Sequence, residues 1–289
     1  MSLVGLLVAL VPAIGFGTEI ISMQLIGGSF TNKCMGMGLT TLFAGLIVYF
    51  VRMPVLTPRQ IIGATICGAG EALGLIFQVK SLELVGATMT MPISIGEQLI
   101  GNNLIGAIFF GEWATTGKWI YGISAVIVII IGIFLTSYHE QKSKGADVKK
   151  GNILLLISSL GFIAYGSAPN AFNLTGWDVL PPEAVAIFIT YVIVGSMQKS
   201  ETQNHMWDKY TWKNMITGAC DVIANFTLIF SIAINGESVG YTFSQMSVVI
   251  STLGGFFILH EARTRKETRL TILGLILVVA GAVLIGKTL

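Results

Sequence analysis

The chain has 289 residues, of which 53% are hydrophobic and 11% charged, with a mean hydropathy of +0.78 and a formal net charge of +2. A soluble domain carries roughly 25% charged residues, so this composition excludes a soluble enzyme or a nucleic-acid binder and implies an integral membrane protein. The three cysteines, Cys34, Cys67 and Cys220, stand far apart in or beside apolar runs and fit neither a disulfide framework nor a metal-ligand set.

A membrane-spanning helix needs about 20 mostly apolar residues. Ten such runs are predicted in chain order, near 3–26, 36–51, 60–79, 85–110, 119–137, 151–170, 181–197, 214–234, 238–260 and 270–287. The first lacks a basic leader and carries Pro12 and Glu19, so it reads as a retained helix rather than a cleaved signal. The breaks are short except at 138–150 and 198–213, and the former divides five spans from five. The chain is therefore expected to be an all-α membrane protein, with residues 1–137 and 151–289 forming two repeats of five helices and 138–150 a cytoplasmic linker. Five spans per half give the halves opposite orientation, that is, inverted topology.

Two observations favour repeats. Val85-Gly86-Ala87-Thr88 leads to a helix ending at Gly111-Glu112, and Val239-Gly240-Tyr241-Thr242 leads to one ending at His260-Glu261, each with a glycine six residues before the glutamate. Equivalent loops of inverted repeats should also differ in Lys/Arg bias. The loop after Glu112 holds Lys118 alone, whereas the loop after Glu261 holds Arg263, Arg265, Lys266 and Arg269. A cytoplasmic linker puts those four inside, together with Lys33, Lys80, Lys142, Lys144, Lys149, Lys150, Lys199, Lys209 and Lys213. Arg52, Arg59, Lys118, Lys287 and both termini are then outside the cell membrane.

The informative residues are those that hydrocarbon rejects. A carboxylate at mid-bilayer costs about 2.5–3.5 kcal/mol even on lenient scales, yet Glu19, Glu71, Glu97 and Asp221 fall well inside predicted spans, with Glu183 nearer an interface. No lysine or arginine lies at comparable depth in the sequence, so these acids must be protonated, face water or bind a cation. Ser94, Gln98 and Asn102 recur every four residues beside Glu97, making one helix face polar. Asp221 and Asn225 are one turn apart, as are Ser247 and Ser251, and Gln245 shares a face with Thr252. Such groups either line a cavity or hydrogen-bond between helices. Pro92 and Pro169 mark places where a helix could break, Phe16, Tyr165 and Tyr241 could stack on a ring or a cation, and Asn173-Leu174-Thr175 matches a glycosylation sequon. No phosphate loop, nucleophile elbow or paired metal ligands occur, so neither catalysis nor a cofactor is expected; His139, His205 and His260 sit at predicted cytoplasmic ends.

Several strings resemble the bacterial glucose/ribose porter family of the drug/metabolite transporter superfamily. They are Thr90-Met91-Pro92-Ile93-Ser94 with Gln98, Gly111-Glu112-Trp113, and the run from Phe243 through Gln245 and Ser251 to Gly255. Val11 to Gly17, Gly176-Trp177, Pro181-Pro182 and Lys266-Glu267 extend the likeness along the chain. The resemblance implies ten helices in two inverted repeats and proton-coupled uptake of a monosaccharide. It also exposes departures, since the family usually carries aromatic or methionine side chains near Glu71, Glu97 and Asp221, glutamine at Glu183 and often arginine at Met89.

The expected function is a secondary active importer of a small polar solute, a monosaccharide in the first place, working by alternating access within the lipid bilayer. Ser94, Gln98, Asn102, Asn225, Gln245 and Ser251 with Glu71, Glu97 and Asp221 would bind substrate, and Glu97, Glu71, Asp221 or Glu19 would carry the coupling proton or another cation. The alternatives are a transporter of an organic cation, amino sugar or polyamine held by the same carboxylates, and a receptor or scaffold that does not transport. The topology has a direct check: a cysteine placed at Ser143 should be labelled only from the cytoplasm and one at Thr115 only from outside. Labelling of both from one side would defeat the inverted arrangement.

Overall fold

The computed structural model describes residues 3–85, 87–138, 147–174, 176–197, 206–259 and 264–288, without the side chains of 82, 83, 87–89, 92 and 178. The linker core with Lys142, Ser143 and Lys144, the histidines His139, His205 and His260, Lys199, Glu261, Arg263, Thr175 and the side chains of Met89 and Pro92 therefore lie outside the described residues.

Twelve α-helices form among the described residues, and no strand. They are α1 (Leu3–Ile26), α2 (Phe30–Arg52), α3 (Pro58–Val85), α4 (Ala87–Ile108), α5 (Thr116–Thr136), α6 (Val148–Phe172), α7 (Gly176–Met197), α8 (Lys209–Lys213), α9 (Met215–Asn235), α10 (Glu237–Ser244), α11 (Ser247–Phe257) and α12 (Arg265–Ile285). Eight stretches are long and apolar enough to cross a membrane. They are carried by α1, α2, α3, α5, α6, α7, α12 and the α8–α9 segment. The fourth and ninth expected spans fall short for physical reasons. α4 carries Ser94, Glu97, Gln98, Asn102 and Asn103, and the ninth is split in two.

That split corrects the expectation of one helix over 238–260. Between α10 and α11 the backbone tightens: Met246 N–H donates to Phe243 O (3.1 Å), Val248 N–H to Gln245 O (3.2 Å) and Val249 N–H to Met246 O (2.9 Å), three residues back in place of four. The irregularity falls at Gln245-Met246, where there is no proline, whereas α6 runs through Pro169.

Other boundaries differ where caps override hydropathy. α2 begins at Phe30 rather than 36, because Ser29 and Asn32 form a reciprocal capping box. The chain around 209–213 forms the short α8, capped by Asp208. α7 begins at Gly176 and takes in Pro181 and Pro182.

The helices pack in recurring pairs: α3 on α6, α1 on α9, α5 on α12, α2 on α7, α3 on α7, α2 on α9, α4 on α6, and α1 on α10 and α11. Glycines set the closest approaches. A methyl group on Gly161 would stand 2.6 Å from the Gly70 carbonyl oxygen, and one on Gly274 2.4 Å from that of Gly132, so both crossings exclude any larger residue.

One end of the bundle is filled by Ala9, Trp113, Val239, Phe243 and Ile285. Here the turn after α4 reaches across to α10. Gly111 takes a positive φ of 67°, and the Glu112 carboxylate accepts the N–H groups of Glu237 (2.5 Å) and Ser238 (2.9 Å). A carboxylate on the free N–H groups of a helix start is favoured by both hydrogen bonding and the helix dipole. Glu112→Ala should therefore lower stability by about 1–3 kcal/mol, the cost of orphaning partly buried donors, read as unfolding in detergent. Glu112→Gln, which keeps one acceptor, should cost less.

Candidate functional site

Away from that sealed end, the helices enclose a cavity of about 570 Å³, within the range typical of small-molecule sites. It extends to the opposite end of the bundle, where Gln24 at the end of α1, Lys33 at the start of α2 and Ser137 after α5 form part of its wall. Lys33 thus belongs to the cavity, although its place in the sequence marks it only as a loop-side residue.

Seven expected residues line this space: Glu19, Glu71, Gln98, Asp221, Asn225, Gln245 and Ser251. So do the three aromatics Phe16, Tyr165 and Tyr241, joined by Phe162, which the sequence did not single out. Gln245 sits at the tightened turn between α10 and α11, so the backbone irregularity and the cavity coincide. Irregular backbone at membrane depth is tolerated where it faces protein or a polar cavity rather than lipid.

Two hydrogen-bond networks shape the wall. In the first, Ser94 Oγ accepts from Gln78 Nε2 (2.8 Å) and Gln98 Nε2 (2.9 Å), and Gln98 Oε1 accepts the Tyr241 hydroxyl (2.8 Å). This ties α3, α4 and α10 together through amides and hydroxyls that also face the cavity. In the second, Asn225 Nδ2 donates to both Glu71 Oε1 and Asp221 Oδ1, each at 2.8 Å, while Asn225 Oδ1 accepts the Tyr165 hydroxyl. One amide therefore separates two carboxyl groups that would otherwise meet directly, and Tyr165 fixes which way the amide points. Glu71 is 5% exposed and Asp221 3%; Glu71 Oε2 has no partner among the described residues.

The remaining expected residues lie elsewhere. Ser94 is fully buried and supports the cavity through its two glutamines. Asn102 is buried behind the wall, its Nδ2 donating to Gln98 O (3.0 Å). Glu97 does not line the cavity; it accepts from Ser159 Oγ at 2.7 Å, joining α4 to α6. Glu97 and Gln98 are adjacent on a helix and point about 100° apart, and a sequence pattern alone does not say which of them meets the cavity. Glu183, expected near an interface, is 1% exposed and sits deep between α7 and α3, where Cys67 Sγ approaches its Oε1 at 3.3 Å.

A bundle with eight candidate membrane spans and an internal cavity of mixed aromatic, amide and carboxyl character is the architecture of a multi-pass membrane protein that handles a small solute. Comparison with known proteins then assigns it: the chain matches the family model "Sugar transport protein" over residues 7–288 and belongs to that family. It is 38% identical over 283 residues to a Listeria monocytogenes protein named for sugar uptake, covering 97% of this chain and 98% of the other. It is 35% identical over 285 residues to the glucose uptake protein GlcU of Bacillus subtilis, covering 97% of both chains. A solved crystal structure superposes with a TM-score of 0.71 at 14% identity, covering 97% of this chain and 96% of the other, a likeness of fold alone.

The second network can be tested without a ligand. Tyr165→Phe and Asn225→Ala should each destabilise the protein in detergent. The double variant should lose less than the two losses added together, with a coupling of about 0.5–3 kcal/mol as expected for contacting partners. Full additivity would mean that the tyrosine and the amide do not act as a unit.

Proposed function

We propose that the chain is a secondary active transporter that imports a monosaccharide, of the glucose or ribose type, by alternating access coupled to protons. The observation that carries this reading is the cavity wall, where aromatic faces stand beside amides, hydroxyls and carboxyls. Sugars need both kinds of surface, because their ring C–H faces pack on aromatics while their hydroxyls demand hydrogen-bond partners. Gln98, Asn225, Gln245 and Ser251 with Glu71 and Asp221 would bind the hydroxyls, and Phe16, Phe162 or Tyr165 would face the ring. Ser94 and Asn102 would act from behind the wall, and Glu97 drops out of the site. The relatives named for sugar and glucose uptake point the same way.

Alternating access in this reading uses ten spans arranged as two inverted repeats, 1–137 and 151–289, joined by the linker 138–150. The helix pairing supports it. If α1, α2, α3, α4 and α5 correspond to α6, α7, α9, α10 with α11, and α12, then α3 on α6 mirrors α1 on α9, and α3 on α7 mirrors α2 on α9. The charge bias would place the open end of the cavity, near Lys33 and Ser137, in the cytoplasm, and the Glu112 contact outside. The coupling proton would reside on the buried carboxyl groups, with Glu71, Asp221 and Glu19 lining the solute path. A buried carboxyl exposed in turn to each side of the membrane can load a proton from one side and release it to the other.

A second reading, transport of an amine-bearing solute, is favoured by one observation: Glu19, Glu71 and Asp221 line the same space. Proteoliposomes loaded under a pH gradient and offered labelled glucose, ribose, glucosamine or a quaternary amine should accumulate a neutral sugar. Glu71→Gln should then abolish that accumulation yet leave sugar binding measurable, since the amide oxygen still accepts a hydroxyl while the group no longer titrates. If the acids hold a cation instead, the same substitution should weaken amine binding at least about tenfold, the effect of losing a charge-assisted contact. Glu97→Gln should leave both measurements close to the unsubstituted protein.

A further inference from the structure

Glu183 has no role in the site described above, and its surroundings are unusual for a carboxyl group. It stands in α7, behind the cavity wall, with 1% of its surface exposed. Its Oε1 lies 3.3 Å from Cys67 Sγ, whose single S–H is shared with the Tyr165 carbonyl oxygen at 3.4 Å. Its Oε2 has no hydrogen-bond partner among the described residues. Cys67 of α3 meets it and also meets the Tyr165 carbonyl of α6, and the charges of Glu71 on α3 and Asp221 on α9 act on it through the same interior. From α2 the neighbouring turn presents Gly45, against Ala184. None of these is a cation. A fully buried carboxylate with a thiol as its one donor would carry an uncompensated charge at a cost of several kcal/mol. A carboxylic acid there would carry none.

The same residues tie Glu183 to the solute path. Cys67 is one helical turn before Glu71 on α3, and Tyr165 meets Cys67 through its carbonyl and Asn225 through its hydroxyl. Glu71 in turn shares Asn225 with Asp221. Carboxyl groups buried in one dry interior and linked through Cys67, Tyr165 and Asn225 do not ionise independently, since a charge on one opposes a charge on the next.

We propose that Glu183 is a proton-binding site separate from the solute cavity, and that its occupancy sets the charge which Glu71 and Asp221 present to the solute. This deepens the proton-coupled reading and rests on it. A proton taken from the aqueous phase binds a carboxylate oxygen of Glu183 and makes the group neutral, so the bundle can close over it; the proton leaves to water when the other side hydrates. With Glu183 neutral, Glu71 and Asp221 are relieved of one repulsive neighbour and can offer a charged acceptor to a sugar hydroxyl. By reciprocity, a bound sugar that favours a charged acceptor favours a proton on Glu183. Proton and solute are thus linked without competing for the same atoms.

The test uses the full-length protein in proteoliposomes, with labelled D-glucose as the probe. Glu183→Gln holds the site permanently neutral. It should keep exchange of internal for external glucose at equal pH on both sides, lose accumulation driven by a pH gradient, and flatten the pH dependence of glucose binding. If the unsubstituted protein exchanges glucose but does not accumulate it under a pH gradient, the proton-coupled reading itself fails, and this proposal with it. If the unsubstituted protein accumulates glucose and Glu183→Gln does so equally, this proposal alone is overturned. Should Glu183→Gln lose exchange as well, Glu183→Asp decides: recovery of exchange together with accumulation supports the assignment, and recovery of exchange without accumulation overturns it.

Discussion

Hydrocarbon supplies no partner for a polar side chain, and this constraint arranges everything else in the molecule. Glu19 on α1, Glu71 on α3, Glu183 on α7 and Asp221 on α9 are buried. Turned toward lipid, each would cost several kcal/mol; turned inward, Glu71 and Asp221 share Asn225, Glu183 meets Cys67, and Glu19 lines the cavity. The inward turn of four acids from four helices creates a polar interior, and the bundle must then be held open around it. Aromatic side chains and the amide networks of Asn225 and Gln98 do so, fixing the positions of the polar atoms rather than filling the space.

The second consequence is a contrast between the two ends of the bundle. At one end, α10 is pinned by the Glu112 carboxylate and the space is packed with Trp113, Phe243 and Ile285. At the other, the wall is made of Gln24, Lys33 and Ser137, and the cavity continues between the helix termini. The glycine crossings of α3 with α6 and α5 with α12 are too close to loosen without cost. The tightened turn at Gln245-Met246 is a different kind of element: its hydrogen bonds already depart from the helical pattern, and it lies against the cavity.

Carboxyl groups in such an interior serve both specificity and energetics. Glu71 and Asp221 are held apart by one amide and face the solute space, while Glu183 is screened from it by Cys67 and Tyr165. The arrangement separates two carboxyl groups that line the cavity from one that does not. Membership of a sugar transport family fits the mixed wall, in which Glu19, Glu71 and Asp221 stand beside aromatic side chains.

Much of this was legible in the amino-acid sequence. Apolar runs of membrane length mark most of the helices, because backbone hydrogen bonding in lipid leaves a chain little choice. Four-residue spacing put Asp221 and Asn225 on one face, and both line the cavity; of the polar stripe on the fourth span only Gln98 does, with Ser94 and Asn102 buried behind it. What the sequence could not settle was direction and depth. It did not distinguish Glu97, which meets Ser159 at a helix contact, from Gln98, which faces the cavity. It placed Glu183 nearer an interface behind the proline pair, and only the packing of α7 shows that side chain to be buried within the protein. It looked to prolines for the broken helix, whereas the break falls at Gln245-Met246. The sequence by itself determined which segments must be helical and buried in the membrane, since that depends on composition and local spacing. Only the tertiary structure decided which of two adjacent polar residues meets the solute space and which acids share an amide, because those outcomes depend on helix rotation and on partners 60 to 154 residues away in the chain.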